Sequence, residues 1–177
     1  LPGCEFTLED ETHLPVICRC DQGYSALTGA ISAHHLAAGK READRQNLDT
    51  LASWANGQWL VLTGTRAGPL RRVLYRSGIA AAARFLEQLK EAFGAENVVV
   101  EAALAGFDGE ERLAAQLDHL ARKTKLPLVA TSAARCADPA SQRLADVMTA
   151  TRHRLPLDKV QDFLPAAHTM LRTPAQL

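Results

Sequence analysis

Three short runs, at residues 59–63, 97–101 and 126–131, are almost entirely apolar, and longer amphipathic stretches separate them. A strand that alternates apolar and polar residues can leave one face wet. A continuous apolar run cannot, and it predicts a parallel strand covered on both faces. Two earlier runs, 3–8 and 14–18, complete a set of strand candidates. Helical spacing lies between them, in Tyr24, Leu27 and Ile31, then in Phe85, Leu86, Leu89 and Phe93, and then in Leu113, Leu117 and Leu120. This alternation predicts right-handed βαβ units and an α/β class, as an open sheet or part of a barrel.

Local signals refine the pattern. Asp108-Gly-Glu-Glu111 is a capped helix start with acidic residues in the first turn, and Gly94 suits a helix C-cap. Residues 37–47 are polar and charged, as in a connecting loop. After Thr131 only helices are expected, one over 139–151 with Leu144, Val147 and Met148 on its apolar face, and a short one from Leu157. The chain opens on Leu1 directly into a strand-like run. Thr173-Pro174 starts a helix with no body, so a piece of a longer protein is expected.

The 177 residues suit one sizeable domain. Twenty basic residues balance twenty acidic ones, so no overall field recruits nucleic acid or a membrane surface. No run approaches the length of a membrane span, and no signal peptide opens the chain. Cys4, Cys18, Cys20 and Cys136 form no CxxC pair, which favours reduced thiols of an intracellular protein over a zinc site. Aromatic residues make up 5% and do not interleave with basic ones, against a single-strand stacking platform.

Few residues carry chemistry by type and position. Thr63-Gly-Thr-Arg-Ala-Gly68 followed by Pro-Leu-Arg-Arg72 reads as strand, glycine loop and helix start. Such a junction can contact an anion through Arg66, Arg71 and Arg72, although it lacks the Gly-Lys-Ser/Thr ending of a P-loop and a structural turn explains it better. Glu5 and His13 sit at strand ends, where a metal ligand would, but a single Glu or His is most often just solvated or hydrogen-bonded. His34 and His35 point about 100° apart on a helix, which suits a surface role. Glu101 closes an apolar strand and suits a polar pocket or a structural hydrogen bond. The loop after the last strand, where α/β barrel enzymes usually keep reactive groups, carries Ala133, Ala134 and Arg135. No Ser-His-Asp order, nucleophile elbow or two-metal carboxylate pair is legible.

Several motifs in register resemble the polymerase-and-histidinol-phosphatase (PHP) domain of bacterial C-family DNA polymerases, nearest the error-prone branch. They are Pro2-Gly-Cys-Glu-Phe-Thr-Leu8, His13-Leu-Pro-Val-Ile17, Gly23-Tyr-Ser-Ala-Leu27, Leu62-Thr-Gly-Thr-Arg-Ala-Gly-Pro-Leu-Arg-Arg72, Phe93-Gly-Ala-Glu-Asn-Val-Val-Val-Glu101, and Leu126-Pro-Leu-Val-Ala-Thr131 with Ala137-Asp-Pro139. The resemblance implies a partial (β/α)7 barrel over 1–136 that lacks its first strands and their His-x-His ligands. A helical connection towards a polymerase core would follow over 137–177.

In metal-binding members the matching glutamate and histidine are ligands, here Glu5 and His13. The family's cysteine is replaced by Thr65, and its Asn-Asp-x-His motif by Ser132-Ala133-Ala134-Arg135, so its aspartate and histidine become Ala133 and Arg135. Three of the five positions therefore lose their ligand, and Arg135 adds a fixed positive charge that opposes a cation. The resemblance thus implies an inactive, structural domain without catalytic residues, cofactor or proofreading nuclease. The parent would be a cytoplasmic DNA-directed DNA polymerase using Mg²⁺, DNA and dNTPs in translesion synthesis, with damage-tolerance proteins as partners and no membrane. A free-standing metal-dependent phosphoesterase of the same superfamily is the competing expectation.

Overall fold

The computed structural model describes residues 1–38, 45–103, 109–132, 134–164 and 169–173. The expected cap at Asp108, the alanine at 133 and the helix start at Pro174 lie outside the described residues.

Strands β1 (Gly3–Thr7) and β2 (His13–Cys18) are joined by residues 8–12. A link that short cannot make a crossover, which needs about a dozen residues, so the pair runs antiparallel. Gly3 faces Ile17 and Thr7 faces His13 along the ladder. Strand β3 (Trp59–Leu62) is antiparallel to β2, with Val16 opposite Val61. Strand β4 (Val98–Ala103) is parallel to β3, with Val61 opposite Val98. Strand β5 (Leu128–Thr131) completes a sheet whose order follows the sequence. The class is therefore α/β as expected, and β3 and β4 are parallel as their apolar runs predict, but the parallel strands implied for a (β/α)7 barrel do not extend to β2, which runs against both neighbours.

Five α-helices accompany the sheet among the described residues: α1 (Asp21–Ala38), α2 (Leu48–Ala55), α3 (Pro69–Phe93), α4 (Glu110–Thr124) and α5 (Gln142–His153). Helix α2 was not expected. Its Asn47 cap accepts a hydrogen bond from the N–H of Asp49 at 2.9 Å, and its C-cap Asn56 adopts the left-handed conformation. Helix α3 starts at Pro69 and ends at Gly94, as the caps predict, but breaks at Gly78. There φ is 77° and ψ −179°, a combination open essentially only to glycine. The short helix expected from Leu157 is instead a pair of 3₁₀ turns, Leu157–Lys159 and Gln161–Phe163, interrupted at Val160 where ψ is 2°.

The described fold divides into two compact units, Leu1–Glu101 with Gln116–Val129, and Ala102–Ala115 with Ala130–Leu177. In the first, β2 alternates: Leu14, Val16 and Cys18 are buried while His13, Pro15 and Ile17 are half-buried. Phe6 stacks on Trp59 at 5.8 Å, and the Trp59 indole N–H donates to Gly23 O at 2.8 Å. In the second unit Ala150 and Val160 are buried, and His153 stacks on Phe163 at 4.1 Å. The apolar residues of α5 named above stay exposed. So does β5: Leu128 is 40% and Val129 41% exposed, which corrects the expectation of cover on both faces. No described helix is long and apolar enough to cross a membrane.

Candidate functional site

The strand pair β1–β2 brings together the two residues that sequence singled out at strand ends. Glu5 faces Pro15, and His13 lies two residues before Pro15, so both project from one side of the ladder. Nδ1 of His13 and Oε1 of Glu5 are 2.8 Å apart. With an ionised carboxylate as acceptor, the proton sits on Nδ1, which leaves Nε2 as the remaining ring donor or acceptor. The His13 side chain is 31% exposed and that of Glu5 50%. The contact is therefore solvated and worth little in stability.

The loop from β3 to α3 is fastened to the same strand. The His13 N–H donates to Ala67 O at 2.9 Å, and Gly68 N–H donates to Thr65 O at 2.9 Å. Gly64 has φ 83°, and a Cβ there would stand 2.6 Å from His13 O and 2.7 Å from Gly68 Cα. The glycine spacing read from sequence thus has a mechanical reason: only bare backbone fits between β2 and the loop. Thr65 sits half-buried within this loop.

The three arginines of the loop and the start of α3 differ in surroundings. Arg66 is exposed and Arg71 is buried. Arg72 pairs with Asp10 at 3.3 Å. Asp10 was missed by sequence reasoning, although Asp10-Glu-Thr12 carries the signature of an Asx turn. Its Oδ1 accepts from the Thr12 N–H at 3.0 Å and from the Thr12 hydroxyl at 2.5 Å. Partial burial alone would raise the Asp10 pKa, but the Thr12 hydrogen bonds and the Arg72 charge outweigh it and hold the carboxyl below its ordinary value.

Glu101 is buried in β4, and its N–H donates to Thr63 Oγ1 at 2.9 Å. His34 and His35 lie on α1 with ring centres 6.2 Å apart, His35 exposed and His34 half-buried. In the second unit Arg135 is exposed, and its N–H donates to Thr169 O at 2.7 Å. Cys18 is buried, which pushes its thiol pKa up, and the neighbouring Cys20 adds to the shift. Among the described residues no group of three or more His, Cys, Asp or Glu could hold a metal ion.

The sequence pattern described as "PHP domain" matches residues 1–103. The chain belongs to the PHP domain family. The matched stretch contains the whole β1–β2 pair, the glycine loop and β4. The chain is also 37% identical over 172 residues to the error-prone DNA polymerase of Nocardia farcinica. Identity is 38% over 152 residues with that of Mycobacterium tuberculosis strain H37Rv, and 34% over 134 residues with that of Bradyrhizobium diazoefficiens. These alignments cover 93%, 86% and 75% of this chain. The chain spans only 15%, 14% and 11% of the relatives' own lengths.

Against the metal centre that the family implies, the described residues of this PHP domain supply a pair and not a cluster. His13 offers Nε2 and Glu5 its second oxygen, whereas a closed divalent site takes about four protein donors. The described set does not fit such a group.

Proposed function

We propose that this PHP domain is a segment of an error-prone DNA polymerase and that the segment itself is a catalytically inactive scaffold, part of a (β/α)7 barrel. The observation that carries the second half is the Glu5–His13 contact at 2.8 Å, with no third ligand-type residue grouped with it among the described residues. Thr65, Ala133 and Arg135 at the other family positions support it from sequence, since none is a good divalent ligand and Arg135 opposes one.

The first half rests on relatives that are error-prone DNA polymerases and on alignments that cover up to 93% of this chain. In this reading the parent extends primers with dNTPs across damaged DNA in the cytoplasm. Mg²⁺ serves its polymerase core, and damage-tolerance proteins and the remaining polymerase domains are its partners. Arg66, Arg71 and Arg72 then serve the β3–α3 junction structurally and bind no anion.

Hydrolysis of p-nitrophenyl phosphate by the purified chain, with added Mn²⁺, Zn²⁺ or Fe²⁺, tests the inactive assignment. No turnover above the metal blank is expected, and Glu5→Gln or His13→Asn should change nothing. Metal-dependent turnover abolished by either substitution would overturn the scaffold reading in favour of a free-standing phosphoesterase.

A further inference from the structure

Between the β1–β2 turn, the start of α2 and one side of α3 lies a groove of about 620 Å³, within the range of about 300–1,000 Å³ typical of ligand clefts. Its floor is apolar, built from Leu8, Val73, Phe85 and Leu89. Its rim is acidic. Glu9 and Asp10 come from the β1–β2 turn, Asp49 from the first turn of α2, and Glu91 from the last turns of α3. Among the described residues no lysine or arginine lines it.

Arg72 offsets Asp10 at 3.3 Å, while Glu9, Asp49 and Glu91 make no ion pair among the described residues. The whole chain balances 20 basic against 20 acidic residues, so this excess is local to the groove. An apolar floor by itself accepts any hydrophobic group, and the rim decides the sign of the partner. Nucleic acid, phosphorylated ligands and anionic lipid surfaces are repelled. A bare divalent cation is not matched either, because the carboxylates stand around the groove and form no metal-holding group. What satisfies both features is a segment with apolar side chains on one side and lysine or arginine beside them.

We infer that this groove docks a basic amphipathic segment of a partner protein. The docking is independent of the polymerase reading and of the Glu5–His13 pair. The contribution of floor and rim should be separable, because Glu9 and Glu91 are exposed and Val73 is only half-buried. Substitutions there leave the buried core untouched.

Fluorescence anisotropy of a labelled leucine–lysine amphipathic helix, titrated with the whole chain, tests the inference. Saturable binding is expected, weakened about tenfold by Glu9→Lys with Glu91→Lys, and by a similar factor by Val73→Gln. The charge reversal Glu111→Lys, at the exposed start of α4, should leave binding unchanged. A peptide with glutamate in place of lysine should not bind, and spermidine should displace the helix only poorly. The inference is overturned by absence of saturable binding, by equal binding to the Glu9→Lys/Glu91→Lys chain, or by full displacement with spermidine, which would mark a simple cation site.

Discussion

Strands β4 and β5 belong to the same sheet and are composed of nearly the same residue types, Val-Val-Val-Glu-Ala-Ala and Leu-Val-Ala-Thr. Every residue of β4 is buried, with Val98 and Val100 fully inaccessible. In β5, Leu128 and Val129 keep about two-fifths of their surface in solvent, at 40% and 41%. The same apolar signal therefore has two outcomes. A continuous apolar run records a need for cover on two faces, whereas burial records where this chain supplies that cover. Exposed apolar strand residues of the β5 kind mark a surface suited to pairing or docking.

The sharpest way to break this contrast is to place the same charge in both strands. Val100→Asp should remove about 4 kcal/mol or more and leave the chain unfolded or nearly so, because an isolated charge cannot be hydrated there. Val129→Asp should shift stability by no more than about 0.5 kcal/mol and reduce self-association. Thermal unfolding by circular dichroism and light scattering report both. Equal damage from the two substitutions would mean that β5 is as covered as β4.

A second pair of substitutions contrasts two glycines that share a positive φ but differ in surroundings. Gly64→Ala should cost about 2–3 kcal/mol, since its Cβ would meet His13 O at 2.6 Å in addition to the strain of φ 83°. Gly78→Ala meets nothing within 4 Å, so it carries only the backbone strain of φ 77° and ψ −179°, about 1–2 kcal/mol, because buried residues on both sides of the kink hold the break in place. Its cost should be the smaller of the two, with no gain in stability. Chemical denaturation midpoints separate the two cases.

The smallest effect belongs to Asp10. A carboxyl held below its ordinary value of 3.8 stabilises the fold above that pH, and the contribution disappears as pH falls through the lowered value. Asp10→Asn should therefore cost no more than about 1 kcal/mol at neutral pH, because half of the Asp10 side chain is exposed. The difference from the parent chain should vanish in strong acid. A gap that instead widens on acidification would contradict the assigned sign.

Much of this fold is legible in the sequence because each signal is local. The strand positions, the cap at Gly94 and the acidic first turn of α4 follow from short-range spacing and dipole arguments. Helix α2 was hidden by its brevity and by the charged stretch before it, although Asn47 and Asp49 did mark its start. Strand direction is less local, yet the short link between β1 and β2 already forced an antiparallel pair. The exposure of β5 and the break at Gly78 depend on neighbours distant in sequence, which spacing does not report.

The candidate site divides in the same way. Glu5 and His13 were recognisable one by one as strand-end residues, but their contact required the strand register. The Arg72–Asp10 pair was not legible, because the two meet only once the β1–β2 turn and α3 are folded together.

The most direct test of the scaffold account is the metal content of the purified chain. The chain would be exposed to Mn²⁺, Zn²⁺ and Fe²⁺, desalted, and measured by inductively coupled plasma mass spectrometry. The account predicts no ion retained in stoichiometric amount, with the same result for Glu5→Gln. Retention of one or more ions per chain, lost on Glu5→Gln or His13→Asn, would contradict it.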